Sequence, residues 1–310
     1  FAAKNKQAIT VALQEIISEI LSVNSSFASA ALPVTATNRS QNENQVYVPM
    51  FRPDPQARPR WFGNLKRYEI GYSDGYLALV DKNKNAAANG QTGFINDCAI
   101  SYWTTGTGFT DNSGSVLNNY WQNRAVSPDP RSECSSATYP YSDSPDGPFV
   151  EKGGVSEILR KGNTATDGLV HRSIFTQVDS TGLVTFNSTN SSLSDSLVNY
   201  IRGQDIDNAD GNKITDSEAR ITIHGDVVHS KPLPINYGGS TGVTVFYGSN
   251  DGMYHAVNAQ TGVERWSFVA KEHYGKLARI KDNSPSIKYP NQTTDVASSN
   301  TPKDYFFDGS

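Results

Sequence analysis

Six oxygen-bearing side chains crowd into one short stretch of this chain. Gln204 to Arg220 reads QDIDNADGNKITDSEAR, with Asp205, Asp207, Asp210, Asn212, Asp216 and Glu218 gathered around Gly211. Carboxylates packed this closely repel one another unless a cation neutralises them, and hard oxygen ligands select calcium. The stretch departs from the EF-hand pattern D-x-[DN]-x-[DN]-G. Asp205-Ile206-Asp207-Asn208-Ala209-Asp210-Gly211 is one residue too long for that register, which leaves the exact ligands open. Calcium is the cofactor expected here. The alternative is a solvated acidic turn, because Asp and Asn also serve turn chemistry.

Other chemistry-bearing residues give weaker signals. His224, His229 and His255 lack the close helical or Cys-paired spacing of a zinc centre, so structural hydrogen bonds are expected of them. No G-x-S-x-G, H-E-x-x-H or Gly-rich phosphate loop occurs, and Ser, His and Asp form no recognisable triad signature. No catalytic residue is assigned. Seven aromatics between Ser101 and Pro148 (Tyr102, Trp103, Phe109, Tyr120, Trp121, Tyr139 and Tyr141) could line a carbohydrate-binding loop. Anchoring a long loop to the body is the favoured role for them.

The elements that position the acidic stretch are legible on both sides. Before it, Leu193 to Arg202 reads as a helix that ends at Gly203 as its C-cap. After it, Val243 to Val269 (VTVFYGSNDGMYHAVNAQTGVERWSFV) reads as successive hairpins. Val243, Val245 and Tyr247 alternate at the strand period, and Asn250-Asp251-Gly252 supplies a tight turn. A second strand, Met253–Asn258, leads to the turn Ala259–Gly262, and Glu264–Phe268 begins a third. Strand, NDG, strand, AxTG, strand with a Trp is the pattern of one β-propeller blade.

Further upstream, Lys4 to Val23 carries Ile9, Leu13, Ile16, Ile20 and Val23 at helical spacing. Ser25 to Asn44 reads as a linker or edge strand. Strands are expected at Gln45–Phe51, Trp61–Ile70 and Tyr76–Val80, with a turn at Asp74-Gly75. A short helix is expected at Ser156–Arg160, a strand at His171–Thr176, a helical or irregular insertion at Lys271–Ile287, and another strand and turn from Lys303 to Ser310.

Composition narrows the class. The chain has 310 residues and a net charge of −4, with no basic block, so nucleic acid is not an expected partner. Its Ser, Thr, Asn, Gly and Tyr content suits a loop-rich secreted or surface protein. No apolar run reaches the roughly 18–20 residues of a membrane span. No signal peptide precedes Phe1, which reads as a mature or trimmed product. The two cysteines, Cys98 and Cys134, could be bridged or free.

Several segments resemble, in order, the PilC/PilY family of type IV pilus tip proteins. They are QVYVPMFRP, WFGNLKRY, LVDKNKNAAANGQTG, VEKGGVSEILRKG, GDVVHSKP and YGSNDGMYHAVNAQTGVERWSFV. The resemblance implies a mainly β fold: a partial β-propeller with quinoprotein-like blades, preceded by an α-helix and an irregular β-rich region. It divides the chain into a helix over 1–24, a β-rich region with long loops over 25–203, a calcium-type loop over 204–220, and the first part of an incomplete propeller over 221–310. The residues after Ile221 are too few to close a ring of about four or more blades, so the chain reads as a fragment.

The same resemblance implies a non-enzymatic protein at the cell surface, secreted through the periplasm to the pilus tip. It would serve pilus assembly and adhesion, with calcium bound by a comparable acidic loop. Its partners would be pilin or minor pilins at the filament tip, a host or abiotic surface, and the rest of the same propeller. Two other readings remain: a quinoprotein-type oxidoreductase, from the blade motif alone, and a secreted carbohydrate-binding protein, from the loop aromatics.

Overall fold

The computed structural model describes residues 26–27, 44–90, 93–105, 109–110, 116–117, 143–161, 172–178, 182–207, 219–288 and 301–309. The expected N-terminal helix over 4–23 lies outside them.

Two sheets carry the fold, the first antiparallel and the second mixed. The first has the order β1-β2-β3-β4, with β1 at Ser26–Phe27, β2 at Gln45–Arg52, β3 at Phe62–Ser73 and β4 at Tyr76–Val80. β2 and β3 pair along their length, Gln45 opposite Glu69 and Arg52 opposite Phe62. The turn at Asp74-Gly75 returns the chain as expected. Within the long loop after Ser101, β5 (Phe109–Thr110) and β6 (Val116–Leu117) pair as a two-stranded ribbon.

The second sheet holds the expected hairpins, together called the blade, and more. β9 (Leu233–Asn236), β10 (Val243–Gly248), β11 (Tyr254–Asn258) and β12 (Glu264–Val269) pair antiparallel in sequence order. The hairpins fall where the alternation places them. Asn258 Oδ1 accepts hydrogen bonds from the backbone N–H groups of Gln260 and Thr261, which closes the second turn. Two earlier strands extend this sheet: β7 (Ile174–Gln177) lies parallel to β12, and β8 (Leu183–Thr185) pairs with β7. The sheet of six is open, and no closed propeller or barrel forms among the described residues.

Helices seat against these sheets. Gly154–Lys161 packs on β3, while Asp195–Arg202 and Tyr274–Asp282 pack on each other. The Asp195 helix has both ends capped. Ser194 accepts from Leu197 N–H, and Gly203, at φ 114°, takes the left-handed conformation that a side chain would resist.

One core joins the two sheets. Tyr47, Leu65 and Trp103 from the first region meet Val245, Tyr247 and Val257 of the blade, with Val155 and Leu159 of the intervening helix between them. Full burial of each such side chain contributes about 1.5–3 kcal/mol. A second core lies where Ile174, Met253 and Val269 meet the two packed helices. A third, with Val46, Val48, Tyr68 and Val150, lies on the opposite side of the first sheet.

Residues 301–309 differ from expectation, because they form no strand. They are held by side-chain hydrogen bonds instead, as described below.

Candidate functional site

The acidic stretch leaves and returns at a single point. Gln204 and Ala219 form an antiparallel bridge, and Arg220 N–H donates to Gly203 carbonyl at 3.0 Å. Arg220 is buried beneath this neck, with its guanidinium 3.9 Å from the centre of the Tyr200 ring. Of the six expected ligands, the structure describes two. Asp205 is buried, whereas Asp207 is exposed and lies 3.3 Å from the Lys281 ammonium of the last helix. Asp210, Asn212, Asp216 and Glu218 lie outside the described residues. Among the described residues, no group of three or more His, Cys, Asp or Glu side chains is arranged to hold a metal ion.

Two of the histidines singled out in the sequence, His224 and His255, join residues it did not connect with them in a buried polar cluster. It lies under the blade, where the NDG turn meets β11. His255 Nε2 stands 3.1 Å from Asp251 and 3.0 Å from Ser249 Oγ, and its Nδ1 stands 2.9 Å from Glu264. Glu264 also receives two 2.8 Å hydrogen bonds from Arg172. His224 stacks on both Tyr247 and His255, and its Nε2 bonds the Tyr247 hydroxyl at 2.8 Å. All of these residues are buried.

Serine, histidine and glutamate stand here in the connectivity of a hydrolase triad, but the charges prevent that chemistry. Burial disfavours a cationic His255, yet Asp251 and Glu264 outweigh it and raise its pKa to about 9. A protonated imidazole donates from both nitrogens and cannot take a proton from Ser249, whose hydroxyl donates to Asp251. His224 moves the other way. Burial, reinforced by the neighbouring His255 charge, lowers its pKa to about 4. Burial opposes ionisation of Asp251 and Glu264 too, but His255 for the first and Arg172 for the second hold both well below the usual carboxylate range. The cluster is an ion-pair weld between turn, strands and the segment before β7.

A second cluster fastens residues 301–309 to the blade. Asp308 accepts from the backbone N–H groups of His229 and Ser230, at 2.6 and 2.8 Å. The Asn250 amide donates to both Asp226 and Asp308, at 2.6 and 2.9 Å. Lys303 reaches Asp226 at 2.9 Å while lying over the Trp61 ring. The backbone carbonyl of Phe307 sits so close to Gly248 that a Cβ there would lie 1.8 Å from it. All three histidines singled out in the sequence therefore make hydrogen bonds within the protein.

Two of the seven loop aromatics have described side chains, and both face the body. Trp103 is buried and donates to Ala259 carbonyl, and the Tyr102 hydroxyl bonds Glu69. Tyr120, Trp121, Tyr139 and Tyr141 lie outside the described residues. Cys98 is disulfide-bonded, and the chain's one other cysteine, Cys134, also lies outside them. Among the described residues no helix is long and apolar enough to cross a membrane.

Comparison with known proteins adds two similarities. Over 138 residues, 36% of this chain, it is 33% identical to the type IV pilus biogenesis factor PilY1 of Pseudomonas aeruginosa strain UCBPP-PA14. Over 115 residues, 30% of this chain, it is 30% identical to a type IV pilus biogenesis factor PilY1 homolog of Xylella fastidiosa. The matched parts are 11% and 9% of those proteins, so the chain spans about a tenth of the length of the curated relatives it matches. No family model matches the chain, and no solved structure matches it.

Proposed function

We propose that this chain is a non-enzymatic part of a type IV pilus biogenesis protein, acting at the filament tip in assembly and surface adhesion. The observation that carries the reading is the similarity to two pilus biogenesis factors. The four-stranded unit β9–β12 supports the accompanying fold proposal, a propeller of which these residues build the first part. In that reading residues 221–310 begin the propeller, the rest of the protein completes it, and the 25–203 region braces it through the shared core. Pilin or minor pilins and a host or abiotic surface are the proposed partners, met at the cell surface after export through the periplasm.

Calcium in the 204–220 loop is the proposed cofactor, with Asp205, Asp207, Asp210, Asn212, Asp216 and Glu218 as its oxygen donors. The closed neck fits a ligand loop, because both ends are fixed before any ion arrives. Asp207 already faces one cation, Lys281, which a metal would displace. When bound, calcium would neutralise the clustered carboxylates and order the segment entering the blade.

Filament shearing tests the assembly reading. Filaments are sheared from producing cells with and without their major pilin, and this chain is quantified by mass spectrometry. Release with filaments only when pilin is present is expected. Equal release without pilin, or retention on the cells, would overturn it.

A further inference from the structure

Two residues that flank the blade in sequence meet in space. Asp226 precedes β9 and Lys303 follows the last helix, yet Lys303 Nζ stands 2.9 Å from Asp226 Oδ1. Their side chains are 5% and 1% exposed. An exposed pair of this kind is weak and loosely held, whereas this one is walled off from water.

The surroundings of Lys303 differ from those of Lys66, another buried lysine. Lys66 Nζ has three carbonyl acceptors within 3.1 Å besides the Asp146 carboxylate, enough for every N–H of an ammonium. Among the described residues Lys303 Nζ has two oxygen acceptors, Asp226 and the Pro59 carbonyl, the second at 3.4 Å. Its other neighbours are aromatic, with the Trp61 ring 4.4 Å and the Tyr305 ring 5.7 Å away.

Asp226 is set apart as well. Burial, with Asp308 adding to it, raises its pKa against the pull of Lys303 and Asn250. The Asn250 amide nitrogen joins Asp226 Oδ2 to Asp308 Oδ2, at 2.6 and 2.9 Å, so a second carboxylate stands beside the pair. A dry amine, a carboxyl in contact with it and a neighbouring carboxylate to carry a proton are what amide condensation needs.

We propose that Lys303 and Asp226 join through an intramolecular isopeptide bond. Lys303 Nζ, as the neutral amine, attacks Cγ of the protonated Asp226 carboxyl. The C–N bond forms, the C–OH bond breaks, and the proton lost from nitrogen passes through Asp308 to the departing hydroxyl. One water leaves, nothing is oxidised or reduced, and no further reactant enters. Well-oriented intramolecular groups reach effective molarities on the order of 10⁵–10⁸ M, which favours a condensation that a free amine and acid do not undergo in water. The bond closes a covalent ring that contains β9–β12 and the Tyr274–Asp282 helix, so tension applied outside Asp226 and Lys303 bypasses the blade. The inference goes beyond the pilus reading and depends on no part of it.

Protease digestion of the full-length protein, read by mass spectrometry, tests it. The expected product is a branched peptide that joins the segments carrying Asp226 and Lys303, with the mass of the two less one water. Its fragmentation should place the link at those two side chains. Lys303→Arg keeps the charge but removes the amine, and should yield two linear peptides. Only linear peptides from the unaltered protein would overturn the inference and leave an ordinary ion pair. A branched peptide at Asp226 that persists in Lys303→Arg would overturn it too, since another nitrogen would then be the donor. The digest of the unaltered protein decides the matter even if the variant fails to fold. Filament shearing reads the pilus proposal separately, so the two can fail independently.

Discussion

The rings of His255 and His224 lie nearly parallel, 5.2 Å apart at their centres with 13° between their planes, and hold opposite charge states. His255 is cationic between two carboxylates, and His224 is neutral against it. Their contributions to stability therefore have opposite pH slopes. With a folded pKa near 9 against about 6.5 unfolded, His255 contributes fully below pH 6.5, and the contribution fades as pH rises through 9. His224, at about 4 when folded, contributes above pH 6.5 and loses that contribution as pH falls towards 4. Unfolding free energy measured against pH should peak near pH 6–7. A His255→Gln variant should remove most of the alkaline limb and also soften the acid limb, because the His255 charge helps lower the His224 pKa and holds Asp251 ionised.

Arg172 and Glu264 form a bidentate pair in the same buried cluster, with the remaining guanidinium nitrogen donating to Arg202 carbonyl. Arg172→Ala should destabilise by about 3–5 kcal/mol, because it leaves Glu264 charged and short of a partner. Urea unfolding read by circular dichroism measures the loss. A change below about 1 kcal/mol would show that the cluster does not brace β7 against the blade.

Gly248→Ala places a methyl group where the Phe307 carbonyl now lies. The cost should be roughly 3 kcal/mol, at the upper end for overpacking. It should fall mainly on residues 301–309, which Asp308 and Lys303 otherwise hold. Limited proteolysis should cut this segment sooner in the variant, with the blade hairpins unchanged.

Calcium binding at the acidic loop has a sign that Lys281 makes testable. Isothermal titration should show heat at millimolar calcium or below, and Asp205→Ala and Asp207→Ala should each weaken it. Lys281→Ala removes a competing cation worth about 1 kcal/mol or less at such an exposed site, so it should tighten binding a few-fold. No heat, or heat indifferent to all three substitutions, would leave the loop a solvated turn.

What the sequence revealed was local. The hairpins from Val243 to Val269 follow from alternation and from turn residues within a few positions of the strands they join. The Asp195 helix announced its cap through Gly203. The parallel pairing of β7 with β12 joins residues some ninety positions apart, and nothing in either strand names the other. Buried charge was equally hidden. Lys66 lies in a strand the sequence located, yet nothing in its type announces that its ammonium is buried among the carbonyls of Asp146, Gly147 and Phe149. Asp251 reads as turn chemistry and Glu264 as a strand start, and only the folded chain brings them to the two sides of His255. At the acidic loop the sequence offers candidate oxygen donors, and their spacing could not foretell the contact of Asp207 with Lys281.

The neck at Gln204 and Ala219 has a consequence for how this protein can vary. Both ends of the neck are tied by a backbone bridge over a buried Arg220, so the segment between them should be replaceable. Doubling the length of such a loop costs only about 0.6 kcal/mol of closure entropy. Lengthening, shortening or exchanging residues 208–218, with Ile206 kept on the second core, should leave the blade standing, so lineages could retune or discard the proposed ion site without rebuilding the scaffold that presents it.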